Sequence, residues 1–164
     1  MKLRKLEEKD APLMLEWMHD ESVVEYLQTN FAAKTIKDCL SFIESSQDTL
    51  ETLNLAIADD TDEYMGTVSL KHIKDGTAEF GITIRTKAMG KGYSKLAMEE
   101  IVKKGFDEMK LDKVYWCVNP DNKRAVRFYD KNNYQRINIL NEGIMIEGYT
   151  DEQIDKYIWY MIFK

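Results

Sequence analysis

The chain has 164 residues, of which 44% are hydrophobic and 32% are charged, and its formal net charge is −6. This balance is typical of a soluble globular domain rather than of a disordered chain, and two prolines with eight glycines exclude a linker rich in either residue. Nucleic-acid binders need lysine and arginine to displace counterions from phosphates, so the acidic chain disfavours a nucleic-acid partner. It suits a cationic partner such as an amine. We expect residues 1–164 to form a single domain.

Two cysteines, Cys39 and Cys117, and two histidines, His19 and His72, limit the cofactor chemistry. The cysteines form no disulfide framework and lack a metal-ligand spacing, so no metal site is expected. Reduced cysteines favour a cytoplasmic location. The N-terminus lacks the apolar stretch of a signal peptide, and the longest apolar run, residues 157–163, is too short to cross a bilayer. We therefore expect no membrane partner.

The pattern of apolar residues predicts alternating helices and strands. Strands are expected where β-branched and aromatic residues cluster between turn signals, and helices where apolar residues recur every three or four positions. The predicted strands are residues 2–6, 53–58, 65–72, 77–84, 113–119, 144–149 and 156–163. The predicted helices are residues 11–19, 23–27, 35–47, 94–109 and 123–131.

Local signals mark the ends of these elements. Asp10 is expected to cap the first helix, whose first turn holds Pro12. Asn132 and Asn133 are expected to end the last helix, because asparagine readily takes the left-handed conformation. The acidic cluster at residues 59–63 does not match the calcium-loop pattern, and we interpret it as a solvated hairpin turn.

The connections between the predicted strands indicate the fold class. Short links between strands 53–58, 65–72 and 77–84 predict an antiparallel meander. Strand 113–119 follows across a helix, which predicts a parallel, right-handed crossover. We therefore expect an α+β fold, in which a mixed sheet passes from a meander into a βαβ unit with helices on both faces. Ligands bind outside the carboxyl ends of parallel strands, which directs attention to the loop after Ile84.

That loop contains Met89-Gly90-Lys91-Gly92-Tyr93-Ser94 at the start of the long helix. Glycines admit positive φ and let a ligand approach the backbone. The free N–H groups of a helix start attract an anion, and Lys87, Lys91 and Lys95 add positive charge. A phosphate-bearing ligand is therefore expected. The motif is neither a P-loop nor a complete dinucleotide fingerprint, and a turn that only starts a helix is the alternative.

A second candidate element follows strand 113–119. Taken singly, Asn122 is explained as a helix cap and Tyr129 as a packed helix residue. In the order and spacing in which they follow the glycine loop, Asn122-Lys-Arg-Ala125, Tyr129 and Lys131-Asn-Asn-Tyr134 resemble the GNAT superfamily of acetyl-CoA-dependent N-acetyltransferases. Met89 and Ser94 differ from the residues that the family's pyrophosphate motif carries there. The resemblance covers residues 77–134.

A weaker resemblance lies near the N-terminus. Trp17-Met-His-Asp20 and Val24 are similar to the first helices of the GNAT branch that acts on ribosomal-protein N-termini and small amines. The resemblance as a whole implies a GNAT-like fold. It also implies an enzyme that transfers an acetyl group from acetyl-CoA to a primary amine by direct attack in a ternary complex. The amine would belong to a small molecule or to a protein N-terminus.

The resemblance also implies roles for individual residues. In many members of this family a glutamate on the strand before the glycine loop acts as general base, usually through a water, and the helix tyrosine protonates the leaving sulfur. These roles fall to Glu79 and Tyr129. A solvent-facing strand glutamate is the alternative for the position of Glu79. The implied contacts to acetyl-CoA are Ile82, Thr83, Ile84, Met89, Gly90, Lys91, Gly92, Tyr93, Ser94, Asn122, Arg124, Ala125 and Tyr129.

Three alternatives stay open at this stage. A non-catalytic module that senses acetyl-CoA is disfavoured because Glu79 and Tyr129 are both present. An unrelated phosphate-binding α/β protein is disfavoured by the missing P-loop. An acetyl-cysteine route through Cys117 would need a group that activates the thiolate.

The acceptor pocket is expected between the first helices and the C-terminal strands. Its aromatic candidates are Trp17, Tyr26, Phe31, Tyr149, Tyr157 and Trp159. Glu25 and Glu147 are candidates for receiving a cationic amine. Edge strands at the C-terminus make a homodimer an option.

Overall fold

A computed structural model describes residues 1–47 and 49–164, in which seven strands and six α-helices form around one mixed sheet. The strands are β1 (Lys2–Lys5), β2 (Leu53–Ala58), β3 (Tyr64–Lys74), β4 (Thr77–Ile84), β5 (Lys113–Val118), β6 (Gln135–Ile137) and β7 (Ile158–Phe163). The helices are α1 (Ala11–Met18), α2 (Glu21–Val24), α3 (Ile36–Ser45), α4 (Tyr93–Glu108), α5 (Lys123–Lys131) and α6 (Asp151–Lys156). The strand order in the sheet is β1-β2-β3-β4-β5-β7-β6.

The sheet changes direction between β4 and β5. Strands β1 to β4 pair antiparallel in chain order, which confirms the predicted meander. Strands β4 and β5 pair parallel across α4, which confirms the βαβ unit. This parallel pairing is short, because it covers three residues of each strand and ends with Glu79 opposite Tyr115. Within the described chain no strand pairs with residues 80–84 on the β5 side. A gap therefore opens between β4 and β5.

Side chains alternate between the two faces of the sheet, and helices cover both faces. On one face Phe80 and Trp116 pack beneath α4 and α5 in the largest hydrophobic cluster. On the other face α1 and α3 cover the N-terminal strands around Trp17. The segment between β6 and β7 covers the C-terminal strands of that face around Trp159. Glu79 precedes Phe80 in β4, so its side chain lies on the second face of the sheet. It lies between helices α1 and α3 on one side and the segment between β6 and β7 on the other.

Two predictions near the N-terminus are wrong in detail. Asp10 precedes α1, but its carboxylate does not cap that helix. It accepts the Glu7 backbone N–H at 2.9 Å and pairs with the Arg4 guanidinium at 2.8 and 2.9 Å. The second helix begins at Glu21 rather than at residue 23, because the Asp20 carboxylate before it accepts a backbone N–H of the first turn at 3.1 Å.

The acidic cluster at residues 59–63 forms the predicted turn, between β2 and β3. It is more than a solvated turn, because Asp62 pairs with Lys2, Arg4 and Lys9. These ion pairs join the turn to β1 and to the chain that follows it.

The C-terminal third differs most from the prediction. Residues 144–149 are not a strand but an irregular segment, in which Ile146 and Tyr149 pack against the cluster around Trp159. The alternation of apolar residues in this segment reflects the packing of only one side of the segment against that cluster. Strand β6 and helix α6 were not predicted, and α6 begins with a capping box between Thr150 and Gln153. The helix end at residues 132–133 is as predicted, with Asn133 at φ 61°.

None of the helices within residues 1–47 and 49–164 combines the length and the hydrophobicity that a bilayer crossing requires.

Candidate active site

The loop between β4 and α4 presents a row of free backbone N–H groups. Gly90 and Gly92 both have left-handed backbones, with φ of 76° and 80°, and Gly92 is the N-cap of α4. The first hydrogen bond of the helix runs from the Leu96 N–H to the Gly92 carbonyl. In the described part of the chain, no backbone N–H from residue 90 to residue 95 donates to another group. Such amides, at the positive end of a helix dipole, fit a diphosphate.

These amides line a cavity of about 360 Å³ between the loop, β4 and the start of α5. All of the predicted acetyl-CoA contacts line this cavity except Thr83 and Lys91. Thr83 faces the opposite side of β4, and the Lys91 side chain is exposed outside the lining. Residues that lie far apart in the sequence are thus brought together around the glycine loop.

Asn122 and Arg124 join the start of α5 to this cavity. The Asn122 side chain caps α5 by accepting the Ala125 backbone N–H at 3.2 Å, which explains its place in the motif. The Arg124 guanidinium lies 2.6 Å from the sulfur of Met89. Met89, which replaces the polar residue of the family motif, therefore packs against a cation at the mouth of the cavity.

A second cavity, of about 390 Å³, opens on the other face of the sheet. Its walls come from residues 26–31, from β3 and β4, from β5 and from residues 147–149. The two cavities share five of their lining residues, namely Phe80, Ile82, Asn122, Ala125 and Tyr129. The two cavities therefore meet at the gap between β4 and β5.

Tyr129 lies at this junction and is 7% exposed. Its ring packs against Trp116 and Tyr160, with centroids 5.2 Å apart in both pairs. Burial raises the pKa of Tyr129 well above its usual range, so the hydroxyl keeps its proton at neutral pH. Among the described residues, no hydrogen bond to or from this hydroxyl is found. Its proton is therefore available to a group at the junction.

Glu79 lines the second cavity and is 2% exposed. One carboxylate oxygen accepts a hydrogen bond from the Tyr149 hydroxyl at 2.5 Å, and the other lies 3.0 Å from Nδ1 of His72. The Lys71 ammonium is 3.9 Å from the first oxygen. A carboxylate offers about four lone-pair positions. Glu79 can thus accept a further hydrogen bond from a water or an amine while both partners hold it.

His72 had no predicted role, and Tyr149 was only one of several aromatic candidates. Tyr26, Phe31, Tyr149 and Tyr157 do line the second cavity, and Glu147 does as well. Three other candidates lie elsewhere, namely Trp17, Trp159 and Glu25. Trp17 donates to the Tyr64 hydroxyl in the core, and Trp159 donates to the Ile154 carbonyl, so both indoles have structural partners.

Cys117 also lines the second cavity. Burial raises the pKa of its thiol to about 12, and the negative charge of Glu79 adds to that effect. A thiol that stays protonated at neutral pH is a poor nucleophile. The burial of Cys117 and its raised pKa therefore disfavour an acetyl-cysteine route.

Comparison with known proteins assigns the family. Residues 1–135 match the family model described as an acetyltransferase (GNAT) domain. The chain belongs to the GNAT family. This GNAT acyltransferase is 25% identical to "Uncharacterized N-acetyltransferase p20" of Bacillus licheniformis, over 98% of its own length and 91% of the relative's. It is 22% identical to "Acetyltransferase PseH" of Campylobacter jejuni over 79% of each chain.

Solved structures of GNAT enzymes share the fold. An acetyltransferase (GNAT family) from Bacillus anthracis has a TM-score of 0.76 and 25% identity, over 98% of this chain and 93% of that one. The spermidine N-acetyltransferase from Vibrio cholerae, crystallised with CoA and spermine, has a TM-score of 0.78 and 19% identity, over 99% and 94%. The mixed sheet and helices of this chain are therefore those of GNAT acetyltransferases.

Proposed function

We propose that this GNAT acyltransferase moves the acetyl group of acetyl-CoA to a primary amine in a ternary complex. One observation carries the proposal: the glycine-loop cavity and the Glu79 cavity open on opposite faces of the sheet and meet at the gap between β4 and β5. Donor and acceptor then enter from different sides and meet beside Tyr129. Holding two reactants in this way supplies much of the rate enhancement of a group transfer.

The donor cavity suits acetyl-CoA, the donor that the GNAT family uses. The free amides of residues 90–95 hold the diphosphate, and Lys91 and Lys95 add positive charge beside them. The unpaired edge of β4 at residues 82–84 offers backbone groups to the pantetheine arm. When bound, acetyl-CoA supplies a thioester whose acyl carbon bonds to the amine nitrogen as the carbon–sulfur bond breaks.

The residues at the junction move the protons of this reaction. A primary alkylamine is mostly protonated to an ammonium ion at neutral pH, since its pKa is about 10. Glu79 takes that proton, directly or through a water, and releases it to solvent. Tyr129 gives its proton to the leaving sulfur, and the surplus proton on the new amide nitrogen replaces it. One proton is thus released per turnover. Amides of β4 near Ile82 and Ile84 stabilise negative charge on the acyl oxygen.

The acceptor is a small-molecule amine or the N-terminus of a peptide. A cavity of about 390 Å³ is of a size that takes a small molecule, and the net charge of −6 favours a cationic acceptor. Glu147 at its rim is half-exposed and offers a carboxylate to the ammonium group. The spermine complex of the Vibrio cholerae relative makes polyamines the first acceptors to assay.

The proposal treats residues 1–164 as one domain, because strands from residue 2 to residue 163 belong to the same sheet. It places the enzyme in the cytoplasm, where its two unpaired cysteines would stay reduced.

The test is an acetylation assay with the purified 164-residue chain, acetyl-CoA and a panel of amines. The panel contains spermidine, spermine, free amino acids, an amino-sugar nucleotide and peptides with a free N-terminus. Release of the CoA thiol and the mass of the product are measured together. Glu79→Gln should lower kcat by about 10²- to 10⁴-fold with little change in the KM for acetyl-CoA. Glu100→Gln, an exposed position on α4, is the matched control.

Two other outcomes would overturn the proposal. Binding of acetyl-CoA without turnover of any amine would favour the non-catalytic sensor. Failure to bind acetyl-CoA would overturn the assignment of the donor cavity.

A further inference from the structure

We infer that His72 is the positioning residue that donates a hydrogen bond to the Glu79 carboxylate and directs it at the junction, an inference that rests on the proposed role of Glu79 as base. The imidazole Nδ1 lies 3.0 Å from Oε2 of Glu79, and the two side chains are seven residues apart in the chain. An ionised carboxylate only accepts hydrogen bonds. The ring nitrogen that faces Glu79 must then carry the proton and donate it.

The backbone at His72 is bent to make this contact. His72 has a left-handed backbone with φ 51°, and the pairing of β3 with β4 shifts between Lys71 and Lys74. In a regular strand, neighbours such as Lys71 and His72 would face opposite sides of the sheet. The irregularity brings both beside Glu79, with closest approaches of 3.9 and 3.0 Å. Positive φ is uncommon outside glycine, and such strain is concentrated at functional sites.

The need for a donor follows from the burial of Glu79. A carboxylate that is 2% exposed loses most of its hydration, and its burial is costly unless hydrogen-bond donors replace the water. Lys71 is farther from Glu79 than His72 is, and its side chain is 41% exposed, so it is the weaker of the two partners. Tyr149 donates to the other carboxylate oxygen, Oε1, so it does not replace the contact that His72 makes with Oε2.

The remaining groups around Glu79 cannot take over this role. Burial raises the pKa values of Tyr149, of Tyr115 and of the Cys117 thiol, so all three stay neutral near pH 7. Glu147 lies on the far side of the imidazole, 3.8 Å from Nε2, and is itself an anion. Among the described residues, His72 is therefore the donor that lies within hydrogen-bond distance of Oε2 of Glu79.

The experiment uses two substitutions that the left-handed backbone accepts. His72→Asn keeps a side-chain N–H near the place of Nδ1, and asparagine tolerates positive φ. His72→Gly tolerates the same backbone but removes the donor. Both variants of the 164-residue chain are compared with the wild type for kcat and for both KM values between pH 5.5 and 9, with one amine throughout. The amine's own titration then contributes equally to all three profiles.

We expect His72→Gly to lower kcat at pH 7 by about tenfold or more and to move the acidic limb of the kcat profile up by about one pH unit. The KM for acetyl-CoA should stay unchanged, because the donor cavity does not include residue 72. His72→Asn should stay within about threefold of the wild type and keep its pH profile.

A His72→Gly profile that superimposes on the wild type would overturn the inference, and so would equal losses in the Gly and Asn variants. If the Gly variant does not fold, ¹⁵N NMR of the wild type at pH 8 reads the tautomer of His72 instead. A protonated Nδ1 supports the inference, and an unprotonated Nδ1, which cannot donate to Glu79, overturns it. A wild type that acetylates no amine would instead overturn the proposed function.

Discussion

Glu79 of β4 and Tyr115 of β5 are the last residues that the two parallel strands pair before they separate. Neighbouring strands normally stay about 4.8 Å apart, so the loss of pairing after Glu79 leaves a gap through the sheet. Both cavities reach this gap, and Tyr129 lines it from α5. Under the proposed function, the register of this short parallel ladder sets the place where donor and acceptor would meet, and it places Glu79 beside that point.

Removing the Tyr129 hydroxyl should slow the chemical step without disturbing the donor site. We expect Tyr129→Phe to lower kcat by about ten- to a thousand-fold, because the leaving sulfur loses its proton donor, while the affinity for acetyl-CoA is nearly kept. Steady-state kinetics and a calorimetric titration with CoA measure the two effects. Tyr134→Phe is the matched control, since Tyr134 also packs on Trp116 but lines neither cavity at the gap. Unchanged turnover in Tyr129→Phe would remove Tyr129 from the acid role.

Charge beside the glycine loop should govern the affinity for acetyl-CoA. The structure shows that a side chain at Gly92 would meet open space but would be strained at φ 80°, so substitutions there test the backbone rather than the fit of a ligand. Lys91→Glu with Lys95→Glu leaves the glycines intact. We expect it to weaken CoA binding by about tenfold or more at low salt and less at high salt.

The control for that double variant is Lys103→Glu with Lys104→Glu, which reverses the same charge further along α4, where neither lysine lines the donor cavity. Calorimetry at two salt concentrations should show near wild-type affinity for the control. Equal weakening in both double variants would mean that only the overall charge matters, which would contradict a diphosphate site at residues 90–95.

The fold and the donor site are largely predictable from sequence, because their signals are local. The long helix α4 and strands β2 to β5 have periodic apolar patterns, and their observed bounds lie within a few residues of the predicted ones. The glycine loop is one contiguous segment, so its residues stay together in any fold. Segment 144–149 was mistaken for a strand because one-sided packing produces the same alternation as strand pairing.

The cluster around Glu79 is not predictable in this way. His72 reaches Glu79 only because the β3 backbone is irregular at a left-handed residue, which no periodic pattern reveals. Tyr149 arrives from 70 positions away in the chain, on a segment without regular secondary structure. The candidate base itself was predicted, but its partners depend on tertiary contacts.

Cys117 should behave as an inert thiol. Because burial raises its pKa to about 12, we expect negligible alkylation of the native protein by iodoacetamide at pH 8, and labelling of both cysteines in urea. Cys117→Ser should keep most of the activity. Rapid labelling of Cys117, or an acetylated Cys117 in the presence of acetyl-CoA alone, would support the covalent route.

The raised pKa of Cys117 in the folded state also affects the stability of the protein. The contribution of this thiol to stability is complete below pH ~8.5 and is lost as the pH rises towards 12.

Arg85 should be a structural anchor of the glycine loop. Arg85 is 5% exposed. Its guanidinium donates to the Glu16 carboxylate at 2.9 and 3.0 Å, to Glu63 at 2.7 Å and to the Tyr64 carbonyl at 2.9 Å. We expect Arg85→Met to lower the free energy of unfolding by about 2–3 kcal/mol, because a buried carbonyl and two carboxylates lose their donor. Both carboxylates are partly exposed and regain some hydration, which keeps the loss from being larger.

The control for Arg85→Met is Lys87→Met, which removes a half-exposed lysine 2.9 Å from the same Glu63 carboxylate and should cost less than about 1 kcal/mol. Urea unfolding followed by circular dichroism measures both. The hydrogen bond from Arg85 lowers the pKa of Glu63. Because the pKa of Glu63 is lower in the folded state than in the unfolded state, its ion pair stabilises the protein at pH values above the unfolded pKa of about 4.3. This contribution disappears as the pH falls below that value. The difference between wild type and Arg85→Met should therefore narrow in acid, and a difference that widened below pH ~4 would contradict the assigned ion pair.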